Sequence, residues 1–255
     1  MAKQTRGLCK YCGKEYTKGG MLKHLHACKE RKKALEAESG KSRCGYYELV
    51  ICGKYNKQYW LIIEIKETAT LRVLDQFIRD IWVECCGHLS AFNINGVNYD
   101  AHPVETDFWG TPARSMNYKL KDVISEGMTF EYEYDFGSTT SLSIEVREHR
   151  MGIRTKENVT ILSRNNPPEI LCSICKNNPA KWVNPEGWYE GVPFWCDECL
   201  EAEREDDYDE EDYEEDYEDY YYEDNLLPVC NSPRMGVCGY GGSDKYPEIF
   251  EPDKK

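Results

Sequence analysis

The sequence has no apolar run of about 18 residues, the length that a membrane-spanning helix requires. Its first residues, Met1 to Arg6, lack the apolar stretch of a secretory signal peptide. We therefore expect a cytoplasmic protein with no membrane partner. In that reducing compartment, the 13 cysteines are expected to be metal ligands or buried thiols before they are disulfides.

The sequence also lacks a recognisable catalytic motif. The glycine-rich segment near the C-terminus has no Gly-Lys-Ser/Thr ending, so it is not a phosphate-binding P-loop. The candidates for acid–base chemistry are His88, His102, Asp135 and His149, and no motif connects them. Asp135 is more simply a turn cap beside Gly137. We therefore predict a non-enzymatic protein without a small-molecule substrate.

Two cysteine pairs with zinc-ligand spacing occur in the C-terminal half. Cys172 and Cys175 form one Cys-x₂-Cys pair, and Cys196 and Cys199 form another after twenty intervening residues. In a Cys₄ zinc ribbon, two such pairs complete a tetrahedron and leave no position for water. Reduced buried cysteines and a redox pair are the alternatives, but neither needs two matched pairs. The spacing predicts a structural Zn²⁺ ion.

A second cluster lies near the N-terminus and resembles a ββα zinc finger in a C₂HC version. Tyr16 and Met21 occupy the aromatic and aliphatic core positions of that pattern. The spacing before the histidine is eleven residues instead of about twelve. His26 is a rival ligand, but helical geometry favours the histidine four residues before the last cysteine. The predicted ligands of this second structural Zn²⁺ are Cys9, Cys12, His24 and Cys28.

The charge of the chain is divided into blocks. Residues 1–43 carry 12 Lys and Arg against 4 Asp and Glu, although the whole chain has a net charge of −14. A single finger spans about three base pairs, so we expect contacts with phosphates and not with particular bases. A solvated cationic helix or a protein-docking finger is an equal alternative. The predicted nucleic-acid-binding residues are Lys18, Lys23, Lys29, Arg31, Lys32 and Lys33.

The middle of the chain predicts an α+β fold, with a helix packed on one face of a mixed or antiparallel sheet. Two β-rich runs, Tyr46 to Cys52 and Tyr59 to Ile65, flank a turn and predict a hairpin. Apolar residues then recur every three or four positions from Leu71 to Trp82, as in an amphipathic helix. Alternating residues in 128–134 and 142–146 predict two further strands. This order is consistent with a ubiquitin-like grasp.

The C-terminal part divides at an acidic, tyrosine-rich block. Residues 201–224 contain 16 Asp and Glu and one Arg, a composition that repels itself and predicts a disordered linker. The apolar and glycine-rich residues that follow are expected to dock on the body. Cys44, Cys52, Cys230 and Cys238 have no assigned role. The predicted units are 1–40 (finger and basic helix), 45–165 (α+β domain), 166–200 (ribbon), 201–224 (linker) and 225–255 (docking tail).

Several segments of the α+β region resemble one protein family. They are the helix from Leu71, the run His88-Leu-Ser-Ala-Phe92, the Gly96-x-x-Tyr99 turn and Phe130-x-Tyr-x-Tyr134-Asp-Phe-Gly137. Together they resemble the plasmid pRiA4b open-reading-frame-three-like family, over about residues 45–150. The resemblance implies an α+β fold and an association with mobile elements, but no catalytic residues. Ser138-Thr139-Thr140 departs from the family pattern and indicates a variant branch, with the zinc units and tail as additions.

Two functions remain after these exclusions. The first is a zinc protein with two structural Zn²⁺ ions that binds nucleic acid, or a ribonucleoprotein, through the basic finger. The alternative is a protein-interaction adaptor that uses the sheet, the ribbon and the acidic linker. The two differ in their response to salt, because only phosphate contacts release counterions.

Overall fold

The computed structural model describes residues 4–37, 42–103, 112–207 and 225–253. The helices are α1 (Lys18–Ala27), α2 (Lys29–Glu36), α3 (Leu71–Ile78), α4 (Gly187–Glu190) and α5 (Asp197–Asp207), with a π-helical turn at Arg79–Val83 and a 3₁₀ turn at Leu120–Asp122. The strands are β1 (Arg6–Leu8), β2 (Glu15–Thr17), β3 (Arg43–Gly53), β4 (Trp60–Lys66), β5 (Ser90–Ile94), β6 (Val97–Asp100), β7 (Arg114–Ser115), β8 (Thr129–Tyr134), β9 (Thr140–Ile153), β10 (Val159–Arg164), β11 (Trp182–Val183), β12 (Phe194–Trp195) and β13 (Leu227–Pro228).

One large sheet forms the centre of the protein. Its strand order is β10-β4-β3-β9-β8-β5-β6-β7, and all neighbours are antiparallel except the β6–β7 pair. The predicted hairpin is its β3–β4 pair, in which Tyr46 lies opposite Lys66 and Cys52 opposite Trp60. The coarse prediction of an α+β fold with a mixed sheet is confirmed. The ubiquitin-like arrangement stays a prediction, since this sheet extends beyond the strands that it rested on.

Helix α3 covers one face of the sheet, as its apolar spacing predicts. Its buried residues Leu71, Leu74 and Ile78 pack against alternate residues of β3 and β4, including Leu49, Ile51, Leu61 and Ile63. The aromatic residues of β8 enter the same core because side chains of a strand alternate between its two faces. They are Phe130, Tyr132 and Tyr134.

The N-terminal unit covers the opposite face. Met21 and Leu25 of α1 are buried against the residues of β3, β4 and β10 that point away from α3. These are Val50, Cys52, Trp60, Ile62 and Leu162. Both faces of β3 and β4 are therefore covered, which explains why every residue of β4 is buried although the sheet is largely antiparallel.

Arg31 attaches α2 to this same face. Its Nη2 donates to Glu48 Oε2 at 2.9 Å and to Glu64 Oε1 at 2.8 Å, and the residue is 3% exposed. The two carboxylates lie directly opposite each other on β3 and β4, so a cation between them relieves their repulsion. The prediction that Arg31 contacts nucleic acid is wrong, because its guanidinium is buried in these ion pairs.

The residues after the acidic block lie against the body. Strand β13 pairs with β11. Asn165 Nδ2 donates to Asn231 Oδ1 at 2.6 Å, and Asn231 Nδ2 donates to the backbone carbonyl of Asn165 at 2.8 Å. Ser232 Oγ donates to the carbonyl of Trp82 at 2.6 Å. Helix α5 occupies the first seven residues of the block predicted to lack structure, and residues 208–224 lie outside the described residues. Within the described ranges, no helix is long and apolar enough to cross a membrane.

Replacing Arg31 with alanine is expected to destabilise the protein by about 3–5 kcal/mol, because two buried carboxylates lose their common cation. The measurement is the free energy of unfolding in urea at pH 7 with zinc present. Lys32→Ala is the matched control, since the neighbouring side chain is exposed and its loss should change stability by no more than about 0.5 kcal/mol. Equal effects of the two substitutions would contradict the anchoring role of Arg31.

The ion pairs at Glu64 also predict a pH dependence. Burial raises the pKa of Glu64, but hydrogen bonds and charge from Arg150 and Arg31 outweigh burial and hold it below its usual value. A carboxylate with a depressed pKa stabilises the fold above its unfolded pKa of about 4.3, and this contribution disappears as the pH falls through the folded value. The stability difference between the wild type and Glu64→Gln should therefore shrink between pH 6 and pH 3.

Urea titrations of both proteins at several pH values measure this difference. Metal release in acid affects the two proteins alike and cancels in the comparison. A difference that stays constant across the range would show that Glu64 has no proton-linked role. Glu48 is a poor site for this test, because burial raises its pKa and its Oε1 has no hydrogen-bond partner among the described residues.

Candidate metal centres

The four C-terminal cysteines come together at one point. The sulfur atoms of Cys172, Cys175, Cys196 and Cys199 all lie within 4.8 Å of one another. The backbone N–H of Ser173 donates to the carbonyl of Phe194 at 2.6 Å, which joins the first pair to the strand before the second pair, and α5 begins between Cys196 and Cys199. The sulfurs of Cys175 and Cys196 are 3.9 Å apart, close to the edge of about 3.8 Å of a tetrahedron with metal–sulfur bonds of about 2.3 Å. The cluster could hold a metal ion.

The surrounding groups favour the thiolate form of Cys172 and Cys175, whereas burial raises the pKa of Cys196 and Cys199. Burial raises the pKa of Cys172, but hydrogen bonds from the backbone N–H groups of Cys175, Cys196 and Ile174 outweigh it and lower the pKa to about 6. The backbone N–H of Asn178 points at the sulfur of Cys175 at 3.5 Å. Such N–H donors orient and stabilise thiolates around a metal, which is the form that binds it.

The N-terminal cluster is also assembled. The ligand atoms of Cys9, Cys12, His24 and Cys28 lie within 4.8 Å of one another, and the sulfur of Cys12 is 3.2 Å from His24 Nε2. The β1–β2 hairpin carries the first two cysteines, while α1 carries His24 and ends at Cys28. Burial and the charge of Lys14 lower the pKa of His24, which favours the neutral imidazole that binds metals.

The two histidines of α1 have different surroundings. The ring of His24 stacks on Tyr16 with a centroid distance of 4.3 Å, so Tyr16 orients the imidazole of this predicted ligand. His26 points elsewhere, with its Nδ1 3.7 Å from the Glu148 carboxylate. His26, Glu48 and Glu148 also lie close enough to share an ion, but Arg31 already supplies the cation at Glu48.

A third cluster was missed by the sequence analysis. Cys85, Cys86, His88 and Cys238 bring their ligand atoms within 4.8 Å of one another. No spacing rule could have found it, because Cys238 lies more than 140 residues after the other three ligands. The sequence did contain a local concentration of possible metal ligands, the run Cys-Cys-Gly-His. It was not recognised as a metal site because it contains no Cys-x₂-Cys pair.

The predicted basic residues do not share one environment. Lys23, Lys29, Lys32 and Lys33 are exposed, and Lys33 also forms an ion pair with Glu30 at 3.3 Å. Lys18 is partly buried, with its Nζ 3.3 Å from the sulfur of Cys52. It also lines an open cavity of about 620 Å³, together with Tyr55 and Lys57.

Three of the four candidates for acid–base chemistry contact charged or titratable side chains. His149 Nε2 lies 2.9 Å from the Glu67 carboxylate, and His102 is exposed. His88 and Asp135 approach to 3.5 Å, but they do so through His88 Nε2, the same nitrogen that faces the sulfur of Cys86. A catalytic Cys–His–Asp relay needs the two ring nitrogens for different partners. This arrangement is therefore not such a relay.

Together these features define an α+β protein with a large mixed sheet and thiol-rich clusters able to hold metal ions. Residues 52–172, just under half of the chain, match the model of the plasmid pRiA4b ORF-3-like protein family. The match confirms the family that the helix and aromatic motifs predicted. The N-terminal cluster and most of the C-terminal cluster lie outside the matched residues.

One solved structure with a similar backbone is the crystal structure of a protein of unknown function from Methanosarcina mazei Go1. It is 20% identical, its TM-score is 0.36, and the similarity covers 49% of this chain and 69% of that one. A comparison with curated proteins gives no match.

Replacing Cys175 with serine is expected to remove one metal ion per chain, because three thiolates and a weakly ligating hydroxyl do not hold a structural site. Elemental analysis of the purified protein measures the loss, and limited proteolysis should show faster cleavage within residues 171–200. The neighbouring Asn177→Ser change leaves all four thiols in place and serves as the control. An unchanged metal content in Cys175→Ser would contradict the assignment of this ligand.

Proposed function

We propose that this protein is a non-enzymatic zinc protein that contacts nucleic acid, alone or in a ribonucleoprotein, through its N-terminal basic unit. The metal is Zn²⁺, because thiolates and one imidazole in tetrahedral spacing are the donors that zinc takes in structural sites. The N-terminal site is a C₂HC finger and the C-terminal site a Cys₄ ribbon. Both are closed by four protein ligands, so these ions maintain structure and do not activate water.

The position of Arg31 carries the nucleic-acid proposal. Its guanidinium points into the sheet, while Lys29, Lys32 and Lys33 on the same helix are exposed. With about 3.6 residues per turn, these three lysines lie on the side of α2 that faces away from Arg31. The buried ion pairs thus orient a row of lysines toward solvent. Such a row neutralises phosphates and releases counterions without reading bases.

The cavity beside the start of α1 adds a second contact surface. Lys18 and Lys57 line it, and the Tyr55 side chain is 85% exposed at its edge. Lysines hold the backbone of a single strand, and an exposed aromatic ring stacks on an unpaired base. This combination favours single-stranded nucleic acid over a duplex, in which the bases are already stacked.

The cellular setting follows from the chemistry of the sites. Unpaired thiols in large number persist in a reducing compartment, so we place the protein in the cytoplasm. The family match supports an association with mobile elements. The acidic block, which begins within α5, falls mostly outside the described residues, and a role in masking the basic unit stays a prediction.

A second candidate function is a protein-interaction adaptor. The C-terminal cluster unit exposes Leu171 and Trp188 by 52% each and Tyr189 by 96%. Large apolar and aromatic side chains are enriched where proteins bind one another. An adaptor that uses this unit would need no basic face and no nucleic acid.

Reversing the three lysines of α2, as Lys29→Glu, Lys32→Glu and Lys33→Glu together, is expected to weaken binding to a single-stranded RNA oligonucleotide. Losing about three phosphate contacts should also reduce the slope of log affinity against log salt by about 2. Fluorescence anisotropy between 50 and 300 mM salt measures both effects. The wild type should bind single-stranded RNA or DNA more tightly than a duplex of equal length.

The matched control reverses three exposed lysines on other parts of the surface, Lys119, Lys121 and Lys156. This control changes the net charge equally but should leave the salt slope unaltered. Equal losses in both triple variants would mean that only net charge matters. If the wild type binds no polynucleotide even at low salt, the adaptor function is favoured instead.

A further inference from the structure

We propose that Cys85, Cys86, His88 and Cys238 form a third zinc site, which attaches the C-terminal segment to the family domain. The three clusters together contain ten of the 13 cysteines. Cys44, Cys52 and Cys230 stay outside them, and all three are buried. Every exposed or half-exposed cysteine therefore belongs to a cluster, as expected when metal binding and not packing has placed these thiols.

The sulfur–sulfur distances match tetrahedral coordination. The sulfur of Cys86 lies 3.8 Å from the sulfurs of both Cys85 and Cys238. His88 Nε2 is 3.0 Å from the sulfur of Cys86 and 3.2 Å from that of Cys238. A tetrahedron with zinc–sulfur bonds of about 2.3 Å has sulfur–sulfur edges of about 3.8 Å. One Zn²⁺ ion at the centre would have four protein ligands and no open position.

Hydrogen bonds with Tyr134 and Glu84 fix the loop that carries Cys85, Cys86 and His88. The hydroxyl of Tyr134 accepts hydrogen bonds from the backbone N–H groups of His88 at 3.3 Å and Cys85 at 3.5 Å, and it donates to Glu84 at 2.9 Å. Glu84 in turn accepts from the backbone N–H of Gly87 at 2.6 Å. Gly87 has a φ of +80°, which reverses the chain between Cys86 and His88.

Arg234 lies shortly before Cys238 in the sequence and attaches that segment beside the loop of the other three residues. This fully buried residue donates to Asp135 at 2.8 Å and to Thr140 Oγ1 at 3.1 Å, and its Nη2 lies 3.4 Å from the sulfur of Cys85. A Cys₃His site carries one net negative charge with Zn²⁺, and the adjacent guanidinium offsets it. Thr140 belongs to the Ser138-Thr139-Thr140 run, which differs from the family pattern. This run and the C-terminal segment are therefore in contact beside the proposed site.

Two other interpretations fit less well. A disulfide joins two sulfurs at about 2.05 Å, whereas one imidazole nitrogen here faces two thiols that are 3.8 Å apart. A nucleophilic cysteine would need one thiol beside a histidine oriented through its other nitrogen, but three thiols surround His88 and its Nε2 also faces Asp135. Shared coordination of one cation explains all four side chains.

The consequence is a cross-link between distant parts of the chain. Cys86 and Cys238 are 152 residues apart in sequence, and the acidic block lies between the C-terminal cluster and Cys238. A zinc ion that joins them closes this loop and reduces the freedom of the unfolded chain. The exposed cysteines Cys86 and Cys238 also make this site the most accessible of the three to a chelator.

Counting metal ions in the purified full-length protein tests the site. We expect three zinc ions per chain in the wild type and two in Cys238→Ser, with the other two sites retained. Cys238→His should restore the third ion, because imidazole also binds zinc. Cys44→Ala removes a thiol outside all clusters and should keep three ions. Limited proteolysis should release the tail faster from Cys238→Ser than from Cys238→His.

Two results would overturn the proposal. The first is a wild type with two zinc ions whose metal content does not change in Cys238→Ser. The second is a Cys86–Cys238 disulfide, detected as a mass lower by two hydrogens after purification under reducing conditions. Cys238 is exposed on a loop, so its replacement should spare the core. The other zinc sites and nucleic-acid binding are separate measurements, so their failure would be distinguishable.

Discussion

The structure depends on covering both faces of the β3–β4 pair. Helix α3 covers one face with a single amphipathic stripe, whereas the N-terminal unit covers the other with Met21, Leu25 and the buried Arg31. Two carboxylates lie opposite each other on that second face, so the apolar contact alone would leave uncompensated charge. The guanidinium of Arg31 donates a hydrogen bond to each of them. The position of the basic helix follows from this one electrostatic constraint.

Each small unit brings side chains that could hold a metal ion to the place where a larger domain would have an apolar core. The β1–β2–α1 unit and the β11–β12 unit are too short to bury much apolar surface by themselves, and each has four ligands converging at its centre. The third cluster differs in kind, because it joins two distant segments and not the parts of one unit. Its support comes from Tyr134, Asp135 and Arg234, and the first two belong to the aromatic motif that identified the family.

Local patterns predicted much of the fold. The spacing of Leu71, Leu74 and Ile78 predicted α3, and the alternation in β8 placed Phe130 and Tyr132 in the core, because helix and strand periods are local properties. The order of strands was not predictable, since it depends on pairings between segments such as β3 and β9 that lie about a hundred residues apart. Composition alone placed Arg31 in one group with the exposed lysines. The tertiary structure distinguishes it from them, because Arg31 is buried against the sheet beneath α2.

The sequence by itself determined the short-range chemistry: two sets of cysteine and histidine residues that could hold a metal ion, the acidic block, and the motifs of the family domain. These are readable because the residues involved are close in the chain or repeat with a fixed period. The tertiary structure alone decided which charged residue is buried and which cysteines meet across the chain. Cys238 reaches Cys86 and His88 because the tail packs against the body through Arg234 and Asn231, and such long-range contacts leave no periodic trace.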